Sequence, residues 1–305
     1  MDELVELSER PAADEIYMLA GWRQWADAGA TSSALPQYLI DQTGAKKIGQ
    51  IKSDPFYLFQ FPGTHHLLRP EIKMEEGYPR EVRSHRNEFF YTGDSRKGLV
   101  IFTGDEPHLG IERYADALFD AAQALKVRRV AAVGGVYASV PYDKDRHVSC
   151  TYSLRRMKGE LSEYAVRFSN YEGGVSIGSY LAKRAELRGL EYFAFYAFVP
   201  MYDFSQLSPM LQGVSIEQDY KAWHDIMQRL NHMFDLRLDL PDLEQQSEQL
   251  TASMEAKIKE IQKKMPQLQV VEYLRKLTEN FTEMSFMPLD DVWKRELGDL
   301  FKDME

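Results

Sequence analysis

Short apolar runs alternating with helix-spaced segments dominate the first 240 residues. Residues 16–20 form a continuous apolar run that stops at Gly21, and Ala34, Leu35, Tyr38 and Leu39 then share one side of a helix predicted over 28–40. Residues 46–51, 55–61 and 88–91 read as strands. The polar stretch 65–86, punctuated by Pro70 and Pro79, reads as a long connection. A buried strand at 99–103 is followed by a loop at 104–109. A helix over 111–125 comes next, with Tyr114, Leu118, Ala121 and Leu125 in register, and then a second buried strand at 127–133. After a polar interval at 143–163, Gly173 and Gly174 turn the chain into a helix over 176–188 that Gly189 is suited to end. A strand over 192–199 stops at Pro200, and an amphipathic helix covers 217–234.

This alternation predicts a three-layer α/β/α arrangement around a mostly parallel sheet covered on both faces. From Leu240 the pattern changes. Gly and β-branched residues thin out, Pro241 suits the first turn of a helix, and Leu243, Leu250, Met254, Ile258, Ile261 and Met265 form a seam of nearly seven-residue period. A second helix is predicted through Leu268, Val271, Leu274, Leu277 and Phe281, and a third through Leu289, Val292, Trp293, Leu297 and Leu300. The organisation expected is therefore an α/β core at 1–239 and a C-terminal helical region at 240–305. A seam of this size exceeds what one thin helical layer can hide, which predicts a homo-oligomer, a trimer being one form.

Composition narrows the partners. A hydrophobic fraction of 44% supplies a core, and 47 acidic against 37 basic side chains give a net charge of −10, which disfavours nucleic acid and anionic lipid. The lone Cys150 cannot form an internal disulfide, no apolar stretch approaches the length of a membrane span, and residues 1–10 lack a secretory pattern, so a cytoplasmic location is expected.

Four strand-end segments carry candidate chemistry. The first, Gly21 to Gly29, contains Trp22 and Asp27; it reads either as an anion-binding strand-to-helix turn or as a tight turn with Asp27 capping the helix. Asp105, Glu106 and His108 place two carboxylates and an imidazole on one loop, as an acid–base pair or as caps for the helix after Gly110. Gly134 and Gly135, leading to Pro141, permit close approach of a ligand or another backbone, or make a turn. Gly174 precedes a helix start whose N–H groups suit an anion. Phosphate-loop, dinucleotide, nucleophile-elbow and zinc-helix patterns are absent from the sequence. His65 and His66 point apart in an extended chain, and His224 and His232 lack the spacing of a ligand pair, so no metal and no cofactor are expected.

Gly21-Trp22 followed by Asp27-Ala28-Gly29, Glu106-Pro107 after a buried strand, Gly174 to Gly178 before a helix ending Arg188-Gly189-Leu190, and then Val199-Pro200-Met201-Tyr202, Pro209 and the Leu-Asp-Leu pattern of 236–243 appear in order. Over 16–265 this series resembles the prokaryotic branch of the proteasome assembly chaperone family, some members of which carry the ATP-grasp name. The resemblance implies an α/β/α fold like that of nucleoside phosphorylases and related hydrolases. It also implies a non-enzymatic assembly or scaffold role toward proteasome-like subunits or another client. The alternative is a small-molecule protein or enzyme, such as a carboxylate–amine ligase, using the strand-end loops around a nucleoside, nucleotide or carboxylate. A deep cleft would favour the latter reading and a filled crevice the former.

Overall fold

A computed structural model describes residues 3–23, 25–59, 69–203 and 214–286. Twelve strands and seven α-helices are described, in the order β1 (Val5–Leu7), β2 (Glu15–Arg23), α1 (Ala34–Thr43), β3 (Lys46–Ile51), β4 (Glu71–Glu75), β5 (Tyr78–Arg83), β6 (Asn87–Gly93), β7 (Lys97–Asp105), α2 (Ile111–Ala124), β8 (Val127–Ala138), β9 (Val148–Tyr152), α3 (Lys158–Leu161), β10 (Val166–Phe168), α4 (Ile177–Leu187), β11 (Tyr192–Tyr202), β12 (Val214–Ser215), α5 (Tyr220–Phe234), α6 (Pro241–Lys264) and α7 (Val270–Glu279). Ten strands form one sheet, ordered β1-β3-β6-β7-β2-β8-β11-β9-β10 with β12 paired to the end of β11. Its centre, β7-β2-β8-β11, is parallel throughout, while β1, β3 and β6 on one side pair antiparallel, and on the other side β9 pairs antiparallel with β11 and parallel with β10.

The period-2 alternation of the central strands separates two cores, because successive side chains leave opposite faces of a sheet. Tyr17 and Leu19 of β2, Leu99 and Ile101 of β7 and Phe193, Phe195 and Ala197 of β11 face α1 and α5. Met18 and Ala20, Val100 and Phe102, and Tyr192 and Ala194 face α2 and α4. This is the mostly parallel, two-sided α/β fold that the alternation predicts. The C-terminal helices join the first of these cores. Leu243, Met254 and Ile258 of α6 and Leu274 of α7 are buried in the cluster that holds Tyr17 and Trp223. Each such fully buried side chain contributes about 1.5–3 kcal/mol. The chain's own α5 and α7 thus bury Leu243, Met254 and Ile258 of the seam, while Leu250, Ile261 and Met265 stay partly exposed.

Several elements differ from the sequence reading. The helix expected over 28–40 is a 3-10 turn at Ala28–Ala30 followed by α1, because Gly29 sits in the left-handed region at φ 62° and breaks the repeat. Residues 55–59 form no strand; Phe56 is buried and the loop is held by its side chains. The supposed connection before Arg86 contains the hairpin β4–β5, whose turn places Glu76 and Gly77 at φ 48° and 87°, as a two-residue hairpin turn requires. The polar interval 143–163 contains β9 and α3, and β10 follows it. β11 runs through Pro200 to Tyr202, since Pro200 still aligns with Ala138 of β8 and the next two residues pair with β12. The third C-terminal helix, His65, His66, Pro209 and residues 60–61 of the expected strand lie outside the described residues.

Candidate functional site

The central parallel strands end together, and their loops carry most of the sequence-predicted site residues. Gly21, near the end of β2, sits where an added Cβ would lie 1.9 Å from the Ser32 carbonyl oxygen, so the loop returns against the strand that launched it. The Trp22 backbone N–H donates to Ser32 Oγ at 2.8 Å, which fixes that return. Asp27 then accepts two backbone N–H bonds at one oxygen, from Ser32 at 2.9 Å and Ser33 at 2.8 Å. It therefore organises the turn before α1 rather than capping a helix at Ala28. Burial pushes its carboxyl above the usual range, against the opposing pull of those bonds.

Gly134 and Gly135 lie within β8 and make no turn. The Gly135 N–H donates to the Ala26 carbonyl at 2.9 Å, and a Cβ at Gly135 would lie 2.1 Å from the Ala28 oxygen. Of the alternatives open in the sequence, the close approach is that of the 26–28 backbone. Gly29 and Pro141 belong to a neighbouring network: the Gly29 carbonyl accepts from Asp219 N and Trp223 Nε1, both at 3.0 Å, and the Pro141 carbonyl accepts from Arg146 Nη1 at 3.2 Å.

The three groups of the 105–108 loop separate. Asp105 is buried; Oδ1 takes the Arg23 guanidinium at 2.7 Å and Oδ2 the Arg86 N–H at 3.0 Å, with His85 Nδ1 3.4 Å away. Glu106 turns to α4, where Oε1 accepts the Ile177 N–H at 3.3 Å. Burial pushes the Glu106 carboxyl up, the Ile177 bond opposes this, and the charge of Asp27 adds to it. His108 accepts the Leu58 N–H at Nδ1, at 3.1 Å, and burial, with His85 second, pushes its imidazole down. Neither Asp105 nor Glu106 caps α2, which starts from a left-handed Gly110 without a side-chain cap. The expected acid–base pair is thus divided between an ion pair and the start of α4. Gly174 stands in the loop ahead of α4, where an added Cβ would lie 3.9 Å from the exposed Trp25 ring.

Beneath these loops, the crevice between the strand ends and α4 is filled. A cavity of about 10 Å³ remains among Trp22, Ser32, Glu106, Ile177, Gly178 and Tyr196. That is room for about one water. Tyr196 closes it with a hydroxyl 2.8 Å from Ser176 Oγ and 3.1 Å from Ser179 Oγ, and Trp22 closes it from the other side by donating to Tyr114 Oη at 2.8 Å. Among the described residues, no group of three His, Cys, Asp or Glu side chains is placed to hold a metal ion, and no helix is long and apolar enough to cross a membrane.

The order of these landmarks agrees with a single family model, that of the PAC2 family, which matches residues 4–258. The chain belongs to the PAC2 family. No curated protein matches it. Among solved structures, the PAC2 chain is similar to a Mycobacterium tuberculosis proteasome-assembly chaperone homologue at 21% identity and TM-score 0.68, over 80% of this chain and 95% of that one. It is similar to a Streptomyces avermitilis PAC2 family protein at 20% identity and TM-score 0.67, over 85% and 99% of the two chains. A Pyrococcus furiosus protein described as an archaeal homolog of proteasome-assembly chaperone matches at 16% identity and TM-score 0.52, over 82% and 94%.

The PAC2 fold of this chain also depends on charged residues that the sequence reading passed over. Arg146, 1% exposed, makes a bidentate pair with the fully buried Asp219, at 2.8 and 3.2 Å. Its Nη1 collects the carbonyls of Pro141, Tyr142 and Lys144. Asp219 Oδ1 also accepts the Ala222 N–H and so caps α5. An Asp three residues before an apolar helical face is a readable cap signal; nothing adjacent to Arg146 announces its partner. A second network joins Tyr57, Asn87 and Tyr114, with Asn87 Oδ1 2.8 and 2.9 Å from the two hydroxyls, and ties the 55–59 loop to the ends of β6 and β7.

Proposed function

We propose that this PAC2 protein is an assembly factor that holds a protein client against the carboxyl-terminal end of its sheet. One observation carries the reading: the strand-end crevice has room for a single water, while the loops around it expose Trp25 at 69%, Tyr171 at 71% and Val175 at 60%, and the end of β8 exposes Tyr137 at 48%. Large aromatic side chains left in solvent on built loops are the residues on which protein interfaces concentrate binding energy. Small-molecule pockets, in contrast, are typically 300–1,000 Å³. The names of the structural relatives make proteasome-like subunits the first client class to examine. A cytoplasmic location belongs to this reading. A homo-oligomer, a trimer included, is compatible with this reading, and only Leu250, Ile261 and Met265 of the α6 seam are left partly exposed to support it.

The test is capture of partners from a lysate of the source organism by the wild-type protein and by a Trp25→Ala/Tyr171→Ala variant. Both positions are exposed, so the variant should keep its stability within about 1 kcal/mol of the wild type, at about 0.5 kcal/mol per substitution. It should lose the captured partners. Equal capture by both proteins would refute the docking face. A dose-dependent rise of several degrees in melting temperature with nucleoside, or with ATP and magnesium, would restore the small-molecule reading.

A further inference from the structure

A second cavity, of about 390 Å³, lies away from the strand ends, between the last turns of α1 and the segment that leads from α5 into α6. Its size falls in the range of small-molecule sites. Tyr38 and Leu39 line it from α1, and Leu238, Asp239, Leu240 and Asp242 line it from the opposite wall. Leu39 is buried, and Tyr38 is half-buried with its ring 6.1 Å from that of Trp223. The opposite wall is fixed in place by Asn231, whose amide nitrogen donates to the Leu238 carbonyl at 3.0 Å and whose oxygen accepts the Leu238 N–H at 2.9 Å. Two walls of the cavity are therefore fixed by the fold, while the exposed side chains of Gln42, Asp239 and Asp242 form its rim.

Its electrostatics have one sign. Asp239 and Asp242 contribute two carboxylates, and no Lys, Arg or His is among the described residues that line it. α1 ends here with no basic residue in its last turn, so no cation meets the negative end of its dipole, although the Leu39 carbonyl accepts from Thr43 Oγ1 and the Ile40 carbonyl from the Gly44 and Ala45 N–H groups. Burial, and after it the charge of Asp242, pushes the Tyr38 hydroxyl up, which keeps it a hydrogen-bond donor on an electron-rich ring. Arg237, next in the chain to Leu238, turns to Asp235 at 3.2 Å. The apolar components, Leu39, Leu238 and Leu240, suit methylene groups, and the carboxylates, helix end and aromatic ring suit ammonium groups.

We propose that this cavity is a binding site for a small alkylammonium ligand, of the diamine or polyamine class. The site is independent of the client face, since none of its residues belongs to the strand-end loops. The test is isothermal titration of the full chain with spermidine and with putrescine. 1,4-Butanediol serves as the uncharged control, magnesium chloride as the charge control, and a lysine-containing peptide as a competitor.

Spermidine is expected to bind at one site per chain. Asp239→Asn with Asp242→Asn should weaken it roughly tenfold or more, since hydrogen bonds to charged groups are among the stronger ones. Tyr38→Leu should weaken it severalfold. The Asp variant should melt with the wild type, both positions being exposed. Four results would each overturn the assignment: no binding of spermidine at millimolar concentration, equal binding of butanediol or magnesium, unchanged affinity in the double Asp variant, or binding of the peptide where spermidine is silent.

Discussion

Replacing Asp27 distinguishes a structural carboxylate from a chemical one. Its Oδ1 holds the backbone N–H groups of Ser32 and Ser33 at 2.9 and 2.8 Å, and Ser32 is 4% exposed. Asp27→Ala strands the Ser32 donor in the interior, which costs about 1–3 kcal/mol, and leaves Ser33 to find water. The total expected is about 2–4 kcal/mol. Asp27→Asn keeps an acceptor oxygen in the same place, so its cost should stay within about 1 kcal/mol.

The pH dependence adds an independent sign. Burial raises the folded-state pKa of Asp27 above its unfolded value, so the native protein binds the proton more tightly. The stability linked to this proton is fully present below the unfolded pKa and is lost as pH rises through the folded one. Relative to the Asn variant, the wild type should therefore gain stability as pH falls from neutral. Urea unfolding of the three proteins at neutral and mildly acidic pH measures both effects. An Ala variant within about 0.5 kcal/mol of wild type, or an Asn variant as damaged as Ala, would refute the amide-anchoring role.

Two further outcomes follow from packing. Asp219→Ala should cost about 3–5 kcal/mol in chemical denaturation, because it leaves Arg146 buried without its counter-charge, and Arg146→Met combined with Asp219→Leu should recover only part of the loss, since the α5 cap and the carbonyl contacts of Arg146 stay lost. Gly135→Ala should cost about 1–3 kcal/mol or more, its Cβ falling 2.1 Å from the Ala28 oxygen, whereas Gly159→Ala in α3, which meets open space, should raise the melting temperature slightly.

The central layers were legible because apolar runs report burial directly: residues 16–20, 99–102 and 130–133 are apolar without interruption and lie in the parallel core strands. The flanks were harder. β4 and β5 are exposed on both faces, so Ile72, Met74 and Val82 carry little pattern beyond the Glu76-Gly77 turn between them. The candidate loops were found because glycines and carboxylates gather at strand ends, but their partners were not. Ser32 accepting from Trp22 and Ile177 donating to Glu106 span 10 and 71 residues, and no local spacing rule reaches that far. Gly134 and Gly135 show the same limit. Two glycines in sequence mark a need for space without saying what fills it, and here it is the chain's own backbone.

The placement of β2 has a consequence for how the molecule is made. This strand sits between β7 and β8, so Glu15 waits for Lys97 and Leu19 waits for Ala131. Those partners leave the ribosome roughly 80 to 110 residues later, several seconds of synthesis at ~5–20 residues per second. Throughout that interval Met18, Leu19 and Ala20, completely enclosed in the finished protein, lie on an unpaired strand with both faces and both edges open. Expression at lower temperature or with co-produced holdases should therefore raise the yield of native protein, because the vulnerable species is the nascent chain and not the folded one.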